Sequence, residues 1–304
     1  MTSRSQPGIY VEIFIHESVD KIWQLTQEPE LHERWDLRFS KIIYLPRTTP
    51  DEPQRFLYET RIGFGLSIKG TGESVGRRTL DDGDTTSSLA FASEDPKSLI
   101  TEGSGYWRYV PAQNGLRFFT WYDYRVRFGA VGRFIDRLLF RPLIGWATAW
   151  SFDRLRLWAE SGQSPESSMS LSVIHAVARI TLAFVWIWHG LVPKMLFRHI
   201  DERTMLMQAG IPLHWLPWIG LGEIAFGILI LCAWNRRTIL AINVALMIFA
   251  TVAVAMNSPS YLQAAFNPVT LNLAVVALCL ADWLASRMLP SARRCLRKDP
   301  RRDL

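Results

Sequence analysis

Apolar side chains follow two different periods along this chain of 304 residues, and the period changes near its middle. Before Gly162 they alternate with polar side chains over short runs, as in β-strands that bury one face. After Ser170 they form four stretches that are apolar on almost every side and close to the roughly 20 residues that cross a bilayer. The pattern therefore predicts an α+β domain followed by an all-α bundle of four transmembrane helices.

The first half begins with an alternating strand at 9–15, and Ser18 can cap the helix that follows it. A second short helix is predicted at 29–34, and strands are predicted at 40–45, 55–64, 67–80, 85–92, 102–110 and 116–128. The dipeptide Asn114-Gly115 favours a tight hairpin, so the last two strands should be antiparallel neighbours. Two helical stretches, separated by Pro142, then run to Glu160.

The four apolar stretches of the second half are predicted to span a membrane at 173–196, 213–233, 238–256 and 266–284. The alternative is a soluble bundle of buried helices. Helices in such a bundle normally keep a polar stripe toward solvent, and the third stretch has almost none. Hydropathy therefore favours the membrane interpretation.

The charge distribution supports this division and suggests an orientation. Mean hydropathy is +0.06 and the net charge is +6, values that alone would fit one or two soluble domains. The excess cations lie beside the apolar stretches, at Arg154, Arg156, Arg236, Arg237, Arg287, Arg293, Arg294, Arg297, Lys298, Arg301 and Arg302. They are not spread as on a nucleic-acid-binding surface. Because cytoplasmic loops carry the excess of Lys and Arg, we expect an inner or plasma membrane protein with both termini cytoplasmic.

Several classes of chemistry lack their sequence signals. The N-terminus has no apolar core of signal-peptide length. Cys232, Cys279 and Cys295 form no Cys-x-x-Cys pair and have no metal spacing with histidine, so no metal site is predicted. No phosphate-binding glycine loop, nucleotide fingerprint or nucleophile elbow occurs, and no cofactor is evident.

The first half resembles the START-like, or SRPBCC, helix-grip family. The likeness lies in the order of its elements and in Val-Asp-Lys-Ile-Trp-Gln-Leu at 19–25, followed by Glu-Arg-Trp-Asp at 33–36. For 1–160 the resemblance implies a curved antiparallel sheet that grips a long C-terminal helix around an apolar cavity. Such cavities bind lipids, polyketides and similar molecules.

The second half resembles the DoxX-like family of small four-helix membrane proteins. Three motifs carry the resemblance: Trp188–Lys194, Gly220–Glu223 and Asn267–Asn272. It implies a transmembrane domain at 171–288, with a flexible linker at 161–170 before it and a basic cytoplasmic tail at 289–304 after it. The wider DoxX family includes subunits associated with quinone-linked sulfur oxidation and redox-stress complexes.

Glu223 is the first candidate site residue, because a carboxylate near mid-depth is costly unless it is paired, protonated or facing a wet cavity. It either handles a proton or headgroup, or forms a structural polar pair with Asn272, His189 or Arg179. His189 and Lys194 near the outer end of the first span either contact an anion or a quinone oxygen, or simply cap and snorkel. Arg179 lies too deep for comfortable solvation and needs a partner.

Candidates for a cavity in the first domain are Tyr106, Trp107, Arg108, Tyr122, Tyr124 and Glu59. The alternative is that they are ordinary core aromatics and cross-strand pairs. His16, His32 and Asp36 are not expected to form a triad. A stripe of Arg133, Arg137 and Arg141 beside Phe134 and Leu138 lies either on anionic lipid or on the solvated back of the helix.

Three functional hypotheses follow. The first is a membrane-anchored protein whose cytoplasmic helix-grip domain binds a hydrophobic small molecule such as a lipid, a quinone or a polyketide-like compound. The second is a quinone-linked or redox-stress oxidoreductase subunit, with a membrane partner that supplies the electrons. The third is a cyclase-like enzyme in the first domain. The sequence leaves open whether the protein is an enzyme.

Overall fold

Seven antiparallel strands form one sheet in the first half of the chain. They are β1 (Ile9–Ile15), β2 (Lys41–Tyr44), β3 (Gln54–Gly63), β4 (Leu66–Thr79), β5 (Thr85–Ala92), β6 (Ile100–Ala112) and β7 (Gly115–Val126). Their spatial order is β1-β7-β6-β5-β4-β3-β2, so consecutive strands from β2 to β7 are neighbours and β1 pairs with β7. The predicted α+β sheet domain is confirmed, with strand boundaries within a few residues of those expected.

The computed structural model describes residues 8–49, 52–63, 65–81 and 83–299. It divides into two units, one comprising residues up to Ser168 together with those from Pro290 onward, the other Met169–Leu289.

Helices close the sheet of the first unit on one face. Helices α1 (Val19–Gln27) and α2 (Pro29–Trp35) follow β1, and α3 (Gly129–Ile135) leads through a π-helical turn into α4 (Arg141–Ser161). On α4, Phe152 is fully buried and stacks on Phe118 of β7 with 4.6 Å between ring centroids. Trp35 at the end of α2 is also fully buried and packs against Phe152. The long helix is therefore gripped between the sheet and the short helices.

Pro142 does not separate two helices as the sequence suggested. The π-helical turn Asp136–Phe140 continues the backbone into α4, and Pro142 lies in the first turn of α4. The helical backbone therefore runs through Pro142, and the irregular π-helical turn lies directly before it, at the place where a proline removes a backbone hydrogen bond.

The predicted linker at 161–170 is largely helical. Gly162, in a left-handed conformation, ends α4, and α5 (Pro165–His189) begins three residues later. Arg154 is buried and its guanidinium donates two hydrogen bonds to the carbonyl of Pro165, at 2.9 and 2.6 Å. These bonds hold the turn in place. The segment therefore adopts a defined structure although its composition is typical of flexible linkers.

The predicted tail after 288 also differs from expectation, since residues 290–299 pack within the first unit. Leu296 exchanges two backbone hydrogen bonds of 2.9 Å with Glu12 of β1. Asp153, buried on α4, accepts from the backbone of Ser291 and from Arg294. At least one basic residue of this segment, Arg294, is therefore held in an ion pair within the first unit.

The second unit contains four helices long and apolar enough to cross a membrane, as the sequence predicted: Pro165–Leu196, Leu213–Cys232, Thr238–Asn257 and Pro268–Arg294. Their regular parts are α5, α7 (Leu216–Cys232), α8 (Thr238–Asn257) and α9 (Pro268–Ala285), with a short helix α6 (Ile200–Gln208) after the first span. A buried cluster from all four helices forms the core: Leu182, Ala183, Ile230, Ile239, Leu240, Val275 and Cys279.

Small residues let the first two spans approach closely. A Cβ placed on Gly190 would lie 2.3 Å from the carbonyl oxygen of Gly220, and one on Gly227 would lie 2.8 Å from that of Ala183. Small residues at such crossings are typical of membrane helix packing. The contact at Gly190 and Gly220 is what brings Lys194 beside Glu223.

Candidate functional site

A cavity opens between the sheet and the helices of the first unit. Its volume is about 150 Å³, and about 1100 Å³ when space open to solvent is included. Its walls are mostly apolar and aromatic, with contributions from Phe39, Ile42, Phe56, Tyr58, Leu89, Phe91, Ile100, Tyr106, Trp107, Tyr122 and Ile144. Burial raises the pKa of Tyr58 to about 12, so its hydroxyl stays protonated at neutral pH. Pockets that bind small molecules have this kind of lining.

One polar cluster of the wall comes from α2 and the loop after it. Uncharged polar side chains also line the cavity at Thr26, Gln27, Gln54, Thr60, Ser74, Ser87 and Thr120. The Asp36 carboxylate, 1% exposed, accepts hydrogen bonds from Arg38 Nε at 2.9 Å and Arg38 Nη2 at 2.6 Å. His32 Nε2 lies 3.1 Å from Oδ2 of the same carboxylate. His32 and Arg38 both line the cavity, and the Arg38 guanidinium lies 5.5 Å from the ring centre of Tyr122.

Local sequence explains this cluster. His32 and Asp36 are four residues apart, which places them on the same face at the end of α2. Asp36 ends that helix, and Trp35 beside it is anchored by a hydrogen bond from its indole N–H to the carbonyl of Leu25, at 2.8 Å. The chain then turns, so that Arg38 returns to the carboxylate.

The protonation states make the cluster electrically neutral overall. Burial alone would raise the pKa of Asp36, but Arg38 and His32 outweigh it and hold that pKa below its usual range. Burial would lower the pKa of Arg38, but Asp36 outweighs that effect and raises it. Burial lowers the pKa of His32, and Asp36 offsets this only in part. At neutral pH one carboxylate and one guanidinium therefore cancel, beside an uncharged imidazole.

Three of the six predicted cavity residues line it, namely Tyr106, Trp107 and Tyr122. The other three have different positions. Tyr124 donates to Asp136 at 2.7 Å, and Arg108 pairs with Asp84. Glu59 lies on the outer face of the sheet, opposite Lys41 and Lys69 in the register.

The residues at the polar end were missed or dismissed by sequence reasoning. The sequence predicts no triad of His32 and Asp36 with His16, and His16 instead lies 3.2 Å from the carbonyl of Asn114. The sequence pattern alone does not single out Arg38. Helical spacing of His32 and Asp36 followed closely by an arginine was the available signal.

In the second unit, Glu223 is half of an ion pair. Its Oε2 lies 3.1 Å from Lys194 Nζ, and the same ammonium lies 3.0 Å from Glu202 Oε1 on α6. The predicted partners were wrong, since Asn272 donates to Thr251 at 2.9 Å and Arg179 pairs elsewhere. His189 offers its backbone carbonyl to Lys194 at 3.5 Å. Lys194 is thus the centre of this site and does not merely extend toward the interface.

Arg179 does have the partner that its depth required. Its Nε lies 2.6 Å from Asp282 Oδ2, and its Nη2 donates to the carbonyl of Arg236 at 3.0 Å. His175 Nδ1 lies 2.5 Å from the other oxygen of Asp282. Asp282 and His175 were missed, although an aspartate within an apolar span is as conspicuous as Glu223. Both side chains of the Arg179–Asp282 pair are fully buried.

Within the described residues no group of three or more His, Cys, Asp or Glu side chains is arranged to hold a metal ion.

Comparisons with known proteins find a family match in the second half of the chain and a relative over nearly all of its length. A model of the DoxX-like family matches residues 183–280. The chain is 41% identical over 294 residues to the membrane protein YndG of Bacillus subtilis (strain 168), itself uncharacterized. That similarity covers 96% of this chain and 98% of YndG, so it includes both units.

The sheet and the long helix have the arrangement of a helix-grip fold. Two solved structures similar to the first half of the chain have low sequence identity to it. A STAR-related lipid transfer protein from Xanthomonas axonopodis is 14% identical, with a TM-score of 0.39, over 51% of this chain and 88% of that chain. The protein TTHA0849 from Thermus thermophilus is 13% identical, with a TM-score of 0.38, over 51% of this chain and 99% of that chain.

Proposed function

Because the chain belongs to the family of the membrane protein YndG and carries a DoxX-like domain, we propose that it is a membrane-anchored binding protein. In this proposal the helix-grip unit holds a neutral, hydrophobic small molecule. The observation that carries it is the apolar cavity with one electrically neutral polar end. The arginine distribution around the spans supports a cytoplasmic location for this unit.

The polar end supports a ligand that carries an uncharged oxygen. An arginine has five N–H donors, and Asp36 engages Nε and Nη2 of Arg38. A carbonyl or hydroxyl oxygen can accept a hydrogen bond there without adding charge. An ionised carboxylate would place a second negative charge beside Asp36, in a site where the positive charge is already compensated. Ketones, esters, alcohols and quinones therefore fit better than fatty acid anions.

The dimensions favour a small ligand or one part of a larger ligand. A dry cavity of about 150 Å³ accommodates a molecule the size of benzene. The remaining space is open toward the mouth, so a longer chain could extend through it. A single aromatic ring or the end of an acyl or prenyl chain is the expected occupant of the inner part.

The test is native mass spectrometry of the full-length protein purified in mild detergent, compared with two tryptophan variants. Leu89→Trp adds bulk to the cavity wall, whereas Leu57→Trp adds the same bulk on the outer face, where Leu57 is 41% exposed. We expect the wild type and Leu57→Trp to carry the same neutral lipophilic adduct and Leu89→Trp to lose it. Equal occupancy in all three folded proteins would refute the assignment of the cavity.

A second pair of substitutions tests the chemistry of the polar end. Asp36→Asn together with Arg38→Gln keeps the cluster neutral but removes the charge-assisted donors, and Arg38→Gln also shortens that side chain. Ligand retention should fall for an oxygen-bearing compound and stay unchanged for a plain hydrocarbon. Retention of a carboxylate ligand by the wild type would contradict the neutral-ligand proposal.

A further inference from the structure

The segment that joins β7 to α4 exposes an unusual amount of apolar surface. Between 128 and 146 most large apolar side chains point outward, with exposures of 56% to 70% for five of them: Phe128, Val131, Phe134, Leu138 and Leu139. Ile135, Leu143 and Trp146 are also exposed, whereas Phe140 and Ile144 are half-buried. The fully buried positions of this segment are instead Gly132, Asp136 and Gly145. The apolar face of this amphipathic helix therefore points to the surface, whereas in a helix that packs on a core it points inward.

The charges of the segment are of one sign at the surface. Arg133 and Arg137 are exposed and four residues apart, so they lie on one side of the apolar row. The single acid, Asp136, is 2% exposed and is held by Arg141 at 3.0 Å and by the Tyr124 hydroxyl at 2.7 Å. The exposed surface thus combines apolar side chains with uncompensated positive charge.

An interfacial helix on an anionic membrane has this composition. Phe and Leu enter the boundary between headgroups and acyl chains, while flanking arginines contact lipid phosphates. A second copy of this chain fits less well, because a two-fold contact would bring the same arginines of both copies together. The chain also enters its first apolar span only three residues after α4 ends, so the unit that carries the segment is tethered to a bilayer.

We propose that residues 128–146 dock on the anionic surface of the bilayer in which the chain is anchored. Docking covers Val131, Phe134 and Leu138 with lipid and places Arg133 and Arg137 among phosphates. Each arginine near such a surface changes the docked-to-undocked ratio about fivefold, so reversing the contribution of two changes it at least about 25-fold. This inference does not depend on the identity of any ligand in the cavity.

The experiment uses the full-length protein, one molecule per nanodisc, with Cys232→Ser and a polarity-sensitive fluorophore attached at Leu138→Cys. In discs that contain anionic lipid, we expect a blue-shifted emission that lipids with a quencher near the headgroup suppress. The same label at Leu66→Cys, which is also half exposed in the native chain, is the control site. We expect Arg133→Glu with Arg137→Glu to abolish the quenching.

Arg61→Glu with Arg78→Glu is the matched charge control, since it changes the net charge equally at exposed positions away from the segment. It should leave the quenching at Leu138→Cys unchanged. An aqueous emission spectrum that lipid quenchers do not affect would overturn the proposal. So would a blue shift that appears only when two copies share a disc, because that outcome identifies a second chain as the occupant.

Discussion

The Arg179–Asp282 pair allows a sharp test of what holds the membrane unit together. Asp282→Asn keeps the size of the side chain but removes its charge. Arg179 would then remain fully buried without a negative charge to balance it, with only neutral oxygens as acceptors: the new amide and the carbonyls of Ala233 and Arg236. Removing one partner of a buried ion pair typically costs about 3–5 kcal/mol, because the other charge is left uncompensated. For a unit of this size, such a loss corresponds to roughly 10–20 °C in melting temperature.

The Glu223 pair provides the internal comparison. Its carboxylate is 18% exposed, and Lys194 keeps Glu202 as a second partner when Glu223 is changed. Glu223→Gln should therefore cost about 1 kcal/mol or less, within the range of partly exposed pairs. The sequence suggests Glu223 as the first candidate site residue, whereas the structure makes Asp282 the more sensitive position for stability.

Heating in detergent followed by size-exclusion chromatography measures both variants. The double variant Arg179→Leu with Asp282→Leu should recover much of the stability, since replacing a buried pair by apolar residues is often neutral. Equal melting temperatures for Asp282→Asn and Glu223→Gln would refute the reasoning. A double variant less stable than Asp282→Asn alone would show that the pair contributes more than it costs to desolvate.

Three further outcomes are expected. Reporters fused after the last residue or in the turn 235–237 should be cytoplasmic and one at 258–261 exported, and export of the C-terminal reporter would contradict this orientation. His32 has a pKa below its ordinary 6.5, so the unfolded chain binds the proton first and stability falls as the pH drops below about 6.5. His32→Gln should flatten that pH dependence in denaturant titrations, and an unchanged slope would be contrary evidence. Glu223→Gln should weaken retention of any lipid or partner that co-purifies with the membrane unit, and unchanged retention would make its role structural.

The order of the strands and helices could be predicted from the sequence because each segment shows its own repeat of apolar positions. Strand alternation at Ile9–Ile15 and the uniform apolarity of Thr238–Asn257 are such local signals. The segment 161–170 was misjudged because a serine-rich composition describes only an average. What orders it is a distant contact, the two bonds from Arg154 to the carbonyl of Pro165.

The partners of buried charges could not be predicted in the same way. The helical rise gives the depth of a residue along a span. For Arg179 that depth correctly indicates that a partner is needed, but it does not identify the partner. The rotation of each helix decides that, and rotation depends on packing such as the contact of Gly190 with Gly220. Alternation along β3 places Tyr58 and Glu59 on opposite faces of the sheet. Which of these faces lines the cavity depends on how the strands pair, and the sequence does not give that pairing.

The position of Ile144 connects the two proposals for the first unit. It lines the cavity and lies on α4, one turn beyond the π-helical turn that belongs to the segment 128–146. A change in that segment on docking would move a wall of the cavity, because helices transmit small displacements along their length. If docking alters ligand affinity by some factor, ligand binding must alter docking by the same factor. A cavity filled by a neutral hydrophobic molecule and a helix on the bilayer surface would then form one linked equilibrium.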